Sequence, residues 1–159
     1  MTVSRKLALI GIGTLIALQL ITPTSAATNP ADEIAAFNKN YIALHLRMDT
    51  AGILNLWADD GVDLMPGEAP LVGKAAITAW LTAVLAQMPG YKVTKQECDF
   101  RDIRVSGDWA SEWANEHQVV VAPDGKIIES YGKMALILHR NPNGEWKVQQ
   151  EMWNAAPKP

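Results

Sequence analysis

Ile34, Phe37, Tyr41, Leu44 and Met48 recur at steps of three and four residues, the period of one helix face. Asn29-Pro30-Ala31-Asp32 supplies the start: a capping side chain, a proline in the first turn and an acid where the helix dipole favours one. Asp49 is placed to cap a second, shorter helix through Leu56 and Trp57, which Asp59-Asp60-Gly61 should break. Val62 to Met65 reads as a short strand ended by Pro66-Gly67. Gly73 opens a third helix with Ile77, Trp80, Leu81, Val84 and Met88 turned inward, and Pro89-Gly90 stops it.

Beyond Gly90 the pattern changes to long β segments separated by turns. Tyr91 to Val105 ends at Gly107-Asp108, Trp109 to Val121 at Pro123-Asp124-Gly125, and Lys126 to Arg140 at Asn141-Pro142-Asn143-Gly144. Glu145 to Asn154 closes the series. Turns at these intervals predict an antiparallel meander. Three helices followed by a meander predict an α+β domain, with the helices on the concave face of a curved, cone-like sheet that they close only in part.

The N-terminus changes which residues count. Arg5 and Lys6 precede an apolar run from Leu7 to Ile21, and Thr24-Ser25-Ala26 has the small residues of a cleavage site. The run is shorter than the roughly 18–20 clean apolar residues of a spanning helix. Residues 1–26 are therefore expected to be a cleaved signal peptide, with export to the periplasm or medium and no membrane attachment afterwards. Residues 27–159 form one domain, large enough for a single core. Of the 14 Lys and Arg in the chain, two leave with the signal; the 12 that stay face 17 Asp and Glu, a formal charge of −5. Net acidity without a basic run argues against nucleic acid and anionic membranes as partners. Cys98 is the single cysteine, so no internal disulfide supports the fold.

Leu56-Trp57-Ala58-Asp59-Asp60, then Pro66, then Gly73 with its helix, resembles the signature of the SnoaL-like branch of the nuclear-transport-factor-2-like superfamily. The ending Gly144-Glu145-Trp146-Lys147-Val148, continuing to Glu151-Met152-Trp153-Asn154, is similar to that branch as well. The resemblance spans residues 30–154 and implies a conical pocket and a homodimer formed through the open sheet face. It leaves function open, since the superfamily holds isomerases, dehydratases, cyclases, epoxide hydrolases and non-catalytic domains. Matched to the ketosteroid isomerases, the catalytic tyrosine falls on Tyr41, sixteen residues before Trp57. The general base falls on Met65 and the proton-donating carboxyl near Leu136. A thioether cannot abstract a proton, so the isomerase mechanism through two carboxylates does not apply.

The same register places Ser111, Trp113, Asn115 and His117 on the concave face of the second long strand, with His139 outward. It places Met134, Leu136 and Leu138 there on the third, and Gln149, Glu151 and Trp153 on the last. Tyr41, His45 and Trp80 join them from the helices, and Trp57 and Met65 from the segments between. This lining suits a small, apolar molecule. Trp57, Trp80 and Trp113 equally suit core filling, and His45 a half-solvated helix border. A carboxylate facing inward needs a partner, so Glu151 should meet His117, His45 or Tyr41, or sit at a wet mouth. Two readings follow. In one, Tyr41, His117 and Glu151 are the catalytic set of an acid–base lyase, isomerase or hydrolase. In the other, the domain is a non-catalytic binding or assembly module. No dinucleotide, phosphate-loop or zinc-helix motif is present; His45, His117 and Glu151 could make a two-histidine, one-carboxylate metal site but are scattered and unsupported by spacing, so neither a cofactor nor a metal is expected.

Overall fold

Asn29 caps the first helix of the computed structural model, which describes residues 29–159. Its side chain accepts from the Ala31 amide at 3.2 Å, and helix α1 runs Pro30–Leu46. The signal segment expected at 1–26 lies outside the described residues. Ile34, Phe37, Tyr41 and Leu44 form the buried stripe of α1. Met48, expected to continue it, lies past the helix end with φ +52°, where the chain reverses. Asp49 accepts from Gly52 N at 3.0 Å and starts α2 (Thr50–Leu56). The first turn of α1 is tied to the sheet, since Glu33 pairs with Arg140 at 2.6 Å and accepts from Trp146 Nε1 at 2.9 Å.

Asp59-Asp60-Gly61 does not break the chain direction. Strand β1 runs through it, Trp57–Leu64, with an irregular register between Trp57 and Val62. A Cβ on Gly61 would stand 3.1 Å from the Val148 carbonyl oxygen, so the bare backbone allows the close approach to the next strand. After β2 (Leu71–Val72), Gly73 at φ +84° leads into α3 (Lys74–Ala86). Four long strands follow: β3 (Lys92–Ser106), β4 (Trp109–Val121), β5 (Ile127–Arg140) and β6 (Trp146–Ala155).

The six strands form one open sheet in the order β2-β1-β6-β5-β4-β3. The meander β3 to β6 is antiparallel as its turns predict, but β1 lies parallel to β6, so the sheet is mixed. The three helices pack on its concave face, and the family of α+β cones is the result. Ile34, Leu138 and Val148 are wholly buried, and Leu136 and Ile77 nearly so. Each such aliphatic side chain contributes about 1.5–3 kcal/mol on burial. Four register shifts among the described residues bend the sheet, and at two of them the displaced residue is identified. One is in β3, where the register shifts between Arg101 and Arg104 and Asp102 adopts φ +51°. The other is in β6, where Ile137 pairs with Gln150 but Leu138 with Val148, leaving Gln149 as an extra residue.

Candidate functional site

The core fills the cone beneath α1 and leaves a cavity of about 330 Å³ between α1, α3, β1 and the far halves of β4 to β6. Ile77, Trp80, Leu81 and Val84 of α3 form one wall, and Ile53, Trp57, Met65 and Trp153 others. Apolar walls with few polar groups are the usual make-up of a small-molecule site.

Two carboxylates meet at its base. Asp63 and Glu151 are direct partners in the parallel β1–β6 ladder, and both are buried, 5% and 8% exposed. The Tyr41 hydroxyl donates to Glu151, 3.2 Å from Oε1 and 3.3 Å from Oε2. Burial first, and the charge of Asp63 second, push the Glu151 carboxyl up to about 8 against the lowering effect of Tyr41. Burial likewise raises Asp63 to about 6, opposed by a backbone hydrogen bond at Leu64. At neutral pH the pair therefore carries about one proton between its two carboxyls. Asp63 Oδ1 has no hydrogen-bond partner. Burial and then the charge of Glu151 raise the Tyr41 hydroxyl well above its ordinary value, so it stays a donor. His45 stacks on Tyr41 at 4.1 Å, and its Nδ1–H donates to the Tyr41 carbonyl oxygen at 2.8 Å. Burial lowers its pKa, and the neutral ring leaves Nε2 as an acceptor.

A second polar group lies on β4. Glu116 lines the cavity and accepts from Trp153 Nε1 and, at 2.6 Å, from Gln96 Nε2. Gln118 Nε2 donates to Gln96 Oε1 at 2.7 Å, which completes a chain that holds the Trp153 indole.

Of the residues singled out in the sequence, Tyr41, His45, Trp57, Met65, Trp80, Glu151 and Trp153 line this cavity. The others stand elsewhere. His117, Trp113 and Asn115 are on the opposite face of the sheet. The β4–β5 register pairs Leu136 with Glu112 and Met134 with Ala114, so the even positions of β4 share the concave face. His117 bonds Glu129 at 2.8 Å and stacks on Tyr131 at 4.5 Å, so it forms no pair with Glu151. Trp113 is 41% exposed, with the Arg101 guanidinium 6.0 Å from its ring. Leu136 is core, 1% exposed, and not cavity wall. Gln149 is the bulge residue of β6 and donates to Asp60 Oδ1 at 3.0 Å instead of facing inward. Asp63, Glu116, Gln118 and Ser130 were missed. Alternation along the strand read over Val62–Met65 puts Asp63 on the face of Met65, but only the fold gives it Glu151 as a neighbour. Among the described residues no group of His, Cys, Asp and Glu is arranged to hold a metal ion.

The family model for SnoaL-like domains matches residues 34–129. No curated protein matches the chain. Among solved structures, a ketosteroid isomerase-like protein from Erwinia carotovora atroseptica is 17% identical, with 82% of this chain and 99% of that one covered at a TM-score of 0.70. ActVI-ORFA from Streptomyces coelicolor is 16% identical over 79% of this chain and 96% of that one, at 0.67. An NTF2-like protein with a cystatin-like fold from Novosphingobium aromaticivorans is 20% identical over 81% and 83%, at 0.61. At these identities the likeness is one of fold.

Proposed function

The chain belongs to the family of SnoaL-like domains, and from that premise we propose that its cavity takes a small, largely apolar molecule and moves a proton on or off it, as a lyase, isomerase or hydrolase. The Asp63–Glu151 pair carries this reading. Two carboxylates whose surroundings separate their proton affinities supply an acid and a base in one site. Glu151 holds the proton at neutral pH and can give it to an acceptor atom on the ligand, while ionised Asp63 can receive one. Tyr41 orients Glu151 and is a further donor for developing negative charge. The positions that match the isomerase carboxylates, Met65 and Leu136, take no part in proton transfer.

The test is Glu151→Gln, which keeps the shape and removes the transferable proton. Turnover of small β-hydroxy ketones and enones should fall by about 10²–10⁴, the usual worth of a positioned acid, while binding persists. Unchanged turnover would remove Glu151 from the chemistry. A wild-type protein that binds these compounds and converts none would be a binding module.

Two further parts of the proposal concern the whole chain. Its basic start, apolar run and Thr24-Ser25-Ala26 support export with cleavage after Ala26. Trp109, Trp113, Ile137 and Met152 are 37–48% exposed on the convex sheet face, a patch that supports a homodimer. Strand alternation in the register read from the sequence would add Val120 and Val148 to that face, but both are buried on the other one.

A further inference from the structure

We infer that the cavity selects an organic cation: a small apolar molecule that ends in one protonated or quaternary nitrogen, with anions excluded. The inference rests on reading this cavity as the ligand site and names the class of ligand. Asp63, Glu116 and Glu151 all line the cavity, and neither lysine nor arginine does. Its one other basic side chain, His45, is kept neutral by burial. Among the titratable groups that interact with the acid pair, α1 brings Tyr41, β3 brings Cys98 and β4 brings Glu116, so none is cationic. The cavity wall supplied by α3 is apolar.

A separate observation points to what is missing. Asp63 is 5% exposed, lines the cavity, and leaves Oδ1 without any partner. A buried carboxylate oxygen in that state is costly, and a donor brought to Asp63 from the cavity side would relieve it. An alcohol would satisfy the hydrogen bond but leave the charge in place. An ammonium group satisfies both. The surrounding indoles of Trp57, Trp80 and Trp153 are the side chains best suited to a cation over a ring. The Trp153 ring is held in position by its N–H on Glu116. An ammonium group is matched by the ionised Asp63 and leaves Glu151 its proton, the acid of the proposed chemistry.

Three compounds that differ at one end only decide the matter: 2-phenylethylamine, 2-phenylethanol and phenylacetate, titrated calorimetrically into the wild-type protein at pH 7. The amine should bind at least about tenfold more tightly than the alcohol, and phenylacetate should not bind. Asp63→Asn should bring the amine down to the affinity of the alcohol. If that variant does not fold, the wild-type series still decides. An alcohol that binds as well as the amine, or an amine preference that survives in Asp63→Asn, overturns the cation reading alone. Failure of all three to bind overturns that reading and the cavity reading together.

Discussion

Glu112 shows how a single side chain can make the whole fold pH-dependent. Its carboxyl accepts from Asn38 Nδ2 at 2.7 Å beneath α1, and the two atoms left without partners are Glu112 Oε1 and Asn38 Oδ1. A proton on Glu112 supplies the donor that this pair of acceptors lacks. Burial raises the carboxyl to about 7, against the lowering effect of Asn38. The folded state thus holds this proton more tightly than the unfolded chain does. The stability it contributes is complete below pH ~4.5 and is lost as pH rises through about 7. Asp63 and Glu151, raised to about 6 and 8, act with the same sign. Glu112→Gln supplies a permanent donor, so urea unfolding should show a gain on the order of 2–3 kcal/mol at pH 8 that fades by pH 5. A loss of equal size at both pH values would contradict this account.

Among the elements, β5 and β6 shape the cavity through one glycine and one bulge. A Cβ on Gly132 would stand 2.6 Å from Cε2 and 2.7 Å from Cζ2 of Trp153, so the indole lies against bare β5 backbone. A rigid ring cannot yield as a flexible chain end would. Gly132→Ala should push Trp153 off Glu116 and into the cavity, weakening binding of an apolar probe by about tenfold or more and shifting Trp fluorescence. Unaltered binding would show that the ring has room to spare. The bulge at Gln149 explains how legible the site was. Before it, Trp146 and Val148 are buried; after it, Glu151 and Trp153 face the cavity. Simple alternation from Glu151 assigns the last two correctly and Gln149 and Val148 wrongly. On β4 a one-residue error in pairing turned out His117, Asn115 and Trp113 and hid Glu112 and Glu116.

For the whole molecule, the convex face and the N-terminus make separable predictions. Light scattering at tens of micromolar should give the mass of a dimer, and Trp109→Glu with Trp113→Glu should give a folded monomer. A wild-type monomer would end the dimer proposal. Intact-mass measurement on exported material should show a chain that begins at Ala27, and a full-length species confined to the cytosol would refute export.

By itself the sequence determined the three helices and the four long strands in their order, though not β2 or the run of β1 through Asp59-Asp60-Gly61, because helix caps, apolar periods and turn residues are local and act within a few positions. Asn29, Asp49 and Gly73 start their helices where their chemistry requires. Tyr41 and Glu151 could be assigned to a common cavity because the resemblance to the isomerases set the inward face, and helical period and strand alternation then placed one of them each. Only the tertiary structure decided their neighbours. The parallel pairing of β1 with β6 brings Asp63 opposite Glu151 across 88 positions of chain, and no local pattern encodes that juxtaposition. Strand register has a period of two, so one extra residue or one shifted pair exchanges the faces completely. That is why the identity of the second carboxylate, and the exclusion of His117, had to come from the fold.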